Sequence, residues 1–337
     1  MAIRFKAILR YTMILAITAV LVWLSLSAIQ VEEGQNKWDY IRATWSSANS
    51  FWLMLMLLFL MLSNVIRAER WRMLLKSSSQ ATSLYNSFLS LMVGYLVNLA
   101  VPRGGEVSRC YNLYRLSRIP VEVSFGTVVV ERIVDIVCLA VVLALAFVLE
   151  SEKLFAFIGT LPLQMPGTQS LLSFLLGLVV LAVLAGLIYR LMKRNSRIWN
   201  KILAMWSGFR SGLGSVVRLE SRMRFIVYTV IIWALYFMMS YAVIRAFDEL
   251  SHLELSATLT LFAIGTIAMA APLPGGAGSY HVLLPAGMVL LYQVGQAQAV
   301  AFTFVFHGWQ TIIMIVAGLV SLILSSTRLN KAKREEL

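Results

Sequence analysis

The stretch that decides the fold is VPRGGEVSRCYNLYRL, from Val101 to Leu116, which follows an apolar run that begins at Leu84. Proline removes a backbone donor and glycine permits the φ angles of a sharp reversal, so Pro102, Gly104 and Gly105 predict a turn. Irregular backbone at membrane depth is tolerated only where protein or a water-filled cavity covers it. The stretch therefore predicts a re-entrant hairpin, which enters the membrane from one side and returns to that side along a polar arm, 106–118.

The composition places the chain among membrane proteins. Of its 337 residues, 59% are hydrophobic and only 13% are charged, whereas soluble proteins carry about 25% charged residues. Six apolar runs are long enough to cross a hydrocarbon core of about 30 Å. These predicted transmembrane spans are 8–28, 49–68, 121–149, 169–191, 224–247 and 297–325.

The distribution of charge predicts the orientation. The net charge of +13 comes from lysines and arginines that are grouped between the apolar runs, which argues against nucleic acid as a partner. Lysine and arginine in short loops stay on the cytoplasmic side of a membrane. Counting them loop by loop predicts that both termini are cytoplasmic, which agrees with an even number of crossings.

A second interrupted run mirrors the first. The run 259–271 leads into PLPGGAG, whose turn residues are Pro272, Pro274, Gly275, Gly276 and Gly278. The order span, hairpin, span occurs in 49–149 and again, with opposite direction, in 224–325, and 192–223 joins the two as a cytoplasmic amphipathic connector. The predicted fold is a single all-α polytopic membrane domain, 1–337, with six transmembrane spans plus two oppositely oriented re-entrant hairpins in an inverted repeat. For either turn alone, an ordinary surface loop remains an alternative.

Charged residues in the first half form the first candidate site. Glu131, Arg132 and Asp135 lie about halfway through the span 121–149, where charges are expensive. They either form an internal ion pair that fixes the helix against the hairpin, or face a cavity and handle a charged substrate. The polar arm adds Arg103, Glu106 and Arg109, and an arginine there suits a lipid phosphate. We expect Glu106 to orient Arg109, because the two are three residues apart, although Arg109 could also be a simple inside-facing anchor.

The second half contributes His281, just beyond its turn, and His307 and Gln310 in the last span. A lone histidine on an apolar helix is usually a packing residue, so a role in proton transfer is the less favoured interpretation of His307. The histidines lack the spacing of metal ligands, and the chain has no nucleophile elbow, phosphate loop or HExxH motif. The sequence therefore predicts neither a metal nor a cofactor.

Three motifs carry a family resemblance. In chain order they are VPRGGEVSRCYNLYR, VVVERIVDIVCLAVVL and PLPGGAGSYH. Through these motifs the chain resembles the transmembrane flippase-like domain of lysylphosphatidylglycerol synthases over almost its whole length. In the fused relatives, the multiple peptide resistance factors, this domain is understood to carry aminoacylated phosphatidylglycerol to the outer leaflet, while a soluble domain makes the lipid. The resemblance implies a stand-alone member without that soluble domain, with a separate synthase as a conceivable partner.

The resemblance also assigns residues to motifs. Pro102, Gly104, Gly105, Glu106 and Arg109 match the first turn; Glu131, Arg132 and Asp135 match an ERxxD-like helix; Pro274, Gly275, Gly276 and Gly278 match the second turn. The family often has a glutamate three residues after the last glycine, where this chain has His281. A cationic lysyl headgroup would be better served by the carboxylate, so the charge of the headgroup stays open.

The expected function is lipid translocation in the plasma (inner) membrane of a bacterium or archaeon. The cargo would be a membrane lipid with an anionic phospholipid or polyprenyl-linked headgroup that moves between leaflets. Two alternatives remain: a membrane-embedded transferase that uses Glu131, Asp135 or His307 as acid and base, and an accessory subunit of a lipid or glycan synthase. The sequence favours a transporter over an enzyme.

Overall fold

The structure is a computed structural model that describes residues 13, 16, 18–27, 36–160, 196–271 and 273–335, and every regular element in these ranges is helical. In chain order the helices are α1 (Thr18–Ser27), α2 (Lys37–Ser47), α3 (Ser50–Ser77), α4 (Leu84–Ala100), α5 (Gly104–Ser117), α6 (Val121–Thr160), α7 (Ser196–Leu213), α8 (Arg222–Arg245), α9 (Leu255–Ala270), α10 (Ser279–Tyr292) and α11 (Gln296–Glu335). The prediction of an all-α fold is confirmed for this part of the chain.

Four helices are long and apolar enough to cross a membrane, which makes the chain a multi-pass membrane protein. These are Ser50–Ser77, Val121–Phe155, Arg222–Arg245 and Gln296–Asn330. They coincide with four of the six predicted spans. The predicted span 8–28 is described over 18–27 and at residues 13 and 16. The predicted span 169–191 and the first residues of the connector, 192–195, lie outside the described residues.

Helices α4 and α5 pack against each other as a helical hairpin, as the opening motif predicts. The turn between them contains Arg103, whose φ of 59° is left-handed. Directly after it, the Gly105 N–H donates to Asn98 Oδ1 at 2.7 Å. A Cβ atom on Gly105 would collide with the carbonyl oxygen of Gly94. Glycine at position 105 therefore allows α5 to cross α4 at backbone contact.

Helices α9 and α10 form the second hairpin. Its turn uses Gly275, Gly276 and Gly278, all with positive φ, and the predicted turn residue Pro272 lies outside the described residues. A Cβ atom on Gly265 would lie 3.0 Å from the Tyr280 ring, across the hairpin. Gly265 precedes Gly276 by as many residues as Gly94 precedes Gly105. The two hairpins thus place a glycine at the same step of their first helix.

The two halves of the chain share one order of helices, long, short, short, long, and they pack on each other. Helix α3 lies antiparallel to α8: the Trp52 and Tyr241 rings are 6.2 Å apart at one end, and Leu74 and Phe225 share a core cluster at the other. Hairpin helix α4 packs on α11 of the second half, and hairpin helix α9 packs on α6 of the first. Each hairpin is therefore held by the last helix of the other half.

The tips of the two hairpins touch. Arg103 Nη2 donates to the Ala270 carbonyl at 3.2 Å, and a Cβ atom on Gly275 would lie 2.8 Å from Leu99. Because these residues belong to different halves, the two turns meet inside the same bundle.

Replacing Gly105 by alanine tests the hairpin crossing. The added methyl group has no room against the Gly94 carbonyl, so we expect a loss of stability of about 1–3 kcal/mol, the usual cost of overpacking. The measurement is thermal unfolding of the purified protein in detergent. Gly295→Ala is the matched control, because a Cβ atom there meets nothing within 4 Å. Equal unfolding temperatures for the two variants would contradict the close crossing.

Candidate functional site

Asp135 lies at the centre of the site, where two arginines of α3 reach it. Arg67 Nη2 is 2.7 Å from Asp135 Oδ2, and Arg70 Nη2 is 3.0 Å from Oδ1. Arg67 and Arg70 are three residues apart, which puts both on the face of α3 that packs on α6. Each carboxylate oxygen of Asp135 therefore has its own guanidinium.

Glu131 lies one helical turn before Asp135, and its side chain is fully buried. Its Oε2 accepts from Arg109 Nη2 at 2.6 Å, while Arg70 Nη2 lies 3.5 Å from Oε1. The Arg109 guanidinium also stacks over the Trp71 ring at 4.7 Å, and Trp71 Nε1 donates to Thr127 Oγ1 at 2.9 Å. Arg109 is thus fixed between a carboxylate and an aromatic face, and it ties the first hairpin to α6.

The partner of Glu106 differs from the one expected. Glu106 lies against Arg132, with 3.6 Å between Oε1 and Nε, while Arg109 pairs with Glu131. The two side chains of α5 therefore contact different residues of α6, so Glu106 does not orient Arg109. The expectation from spacing along one helix was wrong because the buried carboxylate on the neighbouring helix binds Arg109 more closely.

The second half of the chain also contributes. Arg67 Nη1 donates to Tyr236 OH at 2.9 Å, and Arg70 Nη1 donates to Thr229 Oγ1 at 3.2 Å; both acceptors are on α8. We define the charged cluster as Arg67, Arg70, Glu106, Arg109, Glu131, Arg132 and Asp135. Its contacts link α3, α5 and α6 with α8, so the cluster also joins the two halves.

The charged cluster has more positive than negative groups. It contains four arginines and three carboxylates, which gives a formal charge of +1. Several of its buried polar atoms have no hydrogen-bond partner among the described residues: Arg67 Nε, Arg70 Nε, Glu106 Oε2, Arg109 Nε, Arg109 Nη1, Glu131 Oε1 and Arg132 Nε. Buried guanidinium donors without acceptors are suited to a ligand that carries acceptor oxygens.

A second cluster lies at the turn of the second hairpin. The His281 and His307 rings are 4.8 Å apart, and Tyr280 lies 5.5 Å from His307. His307 Nε2 is 3.0 Å from the Gly275 carbonyl oxygen, and His281 Nδ1 faces the Gly278 N–H at 3.4 Å. The structure therefore brings together two of the three histidines that the sequence leaves scattered. Both contact the backbone of the turn.

The two clusters occupy corresponding positions in the two halves. Arg109 follows Gly105 by four residues, as Tyr280 follows Gly276, and each packs on the crossing glycine of its own hairpin. Across the hairpin, Arg109 contacts Glu131 of the next helix, and Tyr280 contacts His307 of the next helix. One backbone arrangement thus holds a charged group in one half and an aromatic group in the other.

The other predicted residues lie at the edges of these clusters. Arg103 is exposed at the first turn, and Gln310 is half-buried on α11, three residues beyond His307. No hydrogen bond or ion pair joins Gln310 to the described residues. Arg115 and Arg118, near the end of α5, are exposed.

The sequence interpretation missed Arg67 and Arg70. It counted them among the inside-facing charges at the end of a span, whereas both are buried, with Arg70 fully so. Their signal was available: α3 continues to Ser77, so two arginines on one face lie well before its end. Tyr236 and Thr229 carried no signal, since an isolated tyrosine or threonine in an apolar helix is common.

The fold and the charged cluster define the class of protein: a multi-pass helical membrane protein with a buried ionic network between its two halves. The sequence profile of the family described as "Lysylphosphatidylglycerol synthase TM region" matches residues 12–318. The chain belongs to this family.

One curated relative is similar over part of the chain. The UPF0104 membrane protein MJ1595 of Methanocaldococcus jannaschii is 34% identical over 92 residues, which cover 26% of this chain and 27% of that protein. The match thus spans about a quarter of the relative's length. No solved structure matches the chain.

Replacing Asp135 by asparagine tests the network. The change leaves Arg67 buried without its carboxylate and Arg70 with Glu131 alone, and breaking a buried pair typically costs about 3–5 kcal/mol. We expect a large drop in the thermal unfolding temperature in detergent. Glu220→Gln removes a carboxylate from the exposed Lys76–Glu220 pair and should leave the temperature unchanged. If Asp135→Asn unfolds like Glu220→Gln, the network does not stabilise the fold.

Proposed function

We propose that this protein translocates lipids by carrying a phospholipid or lipid-linked headgroup between the two leaflets. The observation that carries the proposal is the charged cluster, which has a formal charge of +1 and joins the first half of α6 to a hairpin. A headgroup phosphate that leaves water needs a cation and hydrogen-bond donors along its way. Membership of the lysylphosphatidylglycerol synthase TM region family supports a role connected with lipids.

The proposal includes a topology. The chain would cross the membrane six times, insert both hairpins from opposite sides, and keep both termini in the cytoplasm of a bacterium or archaeon. The antiparallel packing of α3 on α8 and the exchange of hairpins between halves support an inverted repeat. In many transporters, interrupted helices from two inverted repeats meet near the membrane midplane and form the substrate site.

Within this topology the two hairpin tips have a mechanical role. Arg103 and Ala270 join the tips through one hydrogen bond, which is a weak link compared with the ion pairs of the cluster. Movement of one hairpin relative to the other would open this contact while α3, α6 and α8 stay joined by the cluster. A headgroup could then pass from the charged cluster towards the histidine cluster of the other half.

The transferase alternative has less support. Glu131 faces two arginines and Asp135 faces three, which stabilise the ionised carboxylates and oppose proton transfer. His307 contacts a backbone carbonyl through Nε2. None of these three groups is a free acid or base in this arrangement.

Transport is tested with proteoliposomes that contain a fluorescent phospholipid and an impermeant quencher. We expect the protein to make inner-leaflet lipid accessible at least ten times faster than protein-free vesicles do. Glu131→Gln should abolish this rate, because it leaves Arg109 and Arg70 without a shared carboxylate. Glu220→Gln, in the exposed pair, should keep it.

Mass spectrometry of the lipid separates the alternatives. An unchanged lipid mass with altered leaflet accessibility supports translocation. A changed mass indicates a transferase, and a protein that alters neither acts as an accessory subunit; either result overturns the proposal.

The topology is tested by cysteine labelling, after Cys110 and Cys138 are replaced by alanine. Arg103→Cys and Ala277→Cys place thiols at the two tips; position 277 is preferred to 276, where a side chain would collide with Met269. Asp39→Cys and Arg118→Cys serve as references for the outer and inner sides. An impermeant reagent added outside should label position 39 rapidly and position 103 at least ten times more slowly. Labelling of position 103 as fast as position 39 would rule out the proposed insertion.

A further inference from the structure

Arg132 is the least paired cation of the charged cluster. Its guanidinium lies 3.6 Å from Glu106 Oε1 and 3.8 Å from Asp135 Oδ2, and both distances are longer than a hydrogen bond. Its side chain is 41% exposed, whereas those of Arg70 and Arg109 are 0% and 3% exposed. Arg70 and Arg109 hold the bundle together, while Arg132 keeps donors available.

The position of Arg132 makes it reachable from the lipid phase. It precedes Ile133, which is exposed, and Ile136 and Val137 continue the exposed apolar face of α6. On α5, the exposed Val107 follows Glu106, the partner of Arg132. In a membrane such apolar faces contact acyl chains. A lipid could therefore bring its headgroup to Arg132 while its chains remain among other lipids.

The charges around Arg132 restrict the headgroup. The cluster has a formal charge of +1, so a phosphodiester with one negative charge neutralises it. A zwitterionic headgroup would leave the cluster positive, and a headgroup with a net positive charge would raise the total to +2. The histidine cluster of the other half, formed by Tyr280, His281 and His307, contains no carboxylate that could receive an ammonium group.

Glu106 adds a second restriction. Its Oε2 is buried and accepts no hydrogen bond from the described residues, while its Oε1 faces Arg132. Arg132 and Glu106 together thus offer a guanidinium for phosphate oxygens and a carboxylate oxygen for a hydroxyl donor. This pairing fits a phosphate whose substituent carries a hydrogen-bond donor, and the positive formal charge of the cluster favours a neutral hydroxyl over an ammonium group as that donor.

We propose that the charged cluster selects lipids whose headgroup is a phosphodiester of net charge −1 with neutral, hydroxyl-bearing substituents, and that Arg132 holds the phosphate. The proposal rests on the proposed function, because it takes the headgroup to be the cargo. It departs from the lysyl-bearing lipid that the family resemblance implies, since that headgroup has a net positive charge.

The first experiment measures binding, independently of transport. The purified protein in detergent is unfolded thermally with short-chain phosphatidylglycerol, phosphatidylethanolamine or lysylphosphatidylglycerol, and with soluble glycerol 3-phosphate. We expect phosphatidylglycerol to raise the unfolding temperature with at least ten times higher affinity than the other two lipids. Glycerol 3-phosphate should have no effect, which identifies the ligand as a lipid headgroup and not a free phosphate ester. Stabilisation by glycerol 3-phosphate alone would overturn the lipid assignment.

Two neighbouring variants separate binding from structure. Arg132→Gln should weaken phosphatidylglycerol binding at least tenfold. Glu106→Gln, which replaces the carboxylate that accepts the headgroup hydroxyl by a weaker amide acceptor, should weaken it by a smaller factor. If Arg132 and Glu106 form only a structural pair, both variants should destabilise the lipid-free protein equally and bind lipid like the unaltered protein. That result would overturn the proposal. Arg118→Gln, an exposed arginine outside the cluster, is the matched control.

The second experiment repeats the proteoliposome assay with the same three lipids. We expect phosphatidylglycerol to be transferred at least ten times faster than the other two lipids. The Arg132→Gln variant should lose this transfer. Equal transfer of all three lipids would overturn the selectivity and leave lipid translocation intact. Selective binding without transfer of any lipid would overturn the proposed function, while the headgroup site would stand.

Discussion

Burial of charge in an apolar helix is the constraint on which the rest of the structure depends. Glu131 and Asp135 lie on α6, in a segment apolar enough to cross a membrane, and an unpaired charge there is expensive. Cations must therefore come from neighbouring helices. Arg67 and Arg70 fix α3 beside α6, and Arg109 fixes the first hairpin. The Nη1 atoms of Arg67 and Arg70 reach α8, so the positions of four helices follow from two carboxylates.

A second constraint comes from the backbone of the hairpins. Two helices can approach to backbone contact where glycines lie at their crossing point. Gly94 and Gly105 form such a crossing in the first hairpin. The second hairpin places Gly265 and Tyr280 at the corresponding position. Because this scaffold is shared, the two halves can differ in chemistry without a change of fold. One carries Arg109 and its carboxylate, and the other carries Tyr280 and two histidines.

The scaffold was predictable from the sequence, whereas the pairing of the charges was only partly so. Apolar run length predicts α3, α6, α8 and α11, and the paired Pro and Gly turns predict both hairpins, because these signals are local. The partner of a buried charge is not local. Spacing along α5 suggested that Glu106 pairs with Arg109, but Glu131 on another helix is the partner of Arg109. Arg67 and Arg70 looked like charges at the end of a span, since hydropathy does not report which face a neighbouring helix covers.

The arginines of the cluster have different roles. This difference explains how one cluster can be rigid and still be able to bind a ligand. Some of these cations hold two helices together through a carboxylate. If a ligand displaced that carboxylate, the fold would lose stability. Arg70 and Arg109 are such cations, each in contact with the fully buried Glu131. Arg132 lies beyond hydrogen-bond distance of both its carboxylates and borders the exposed face of α6. Exchange of these weak contacts for a phosphate leaves the pairs between α3, α5 and α6 intact. A headgroup can therefore bind and leave at Arg132 without disrupting the network that holds the bundle together.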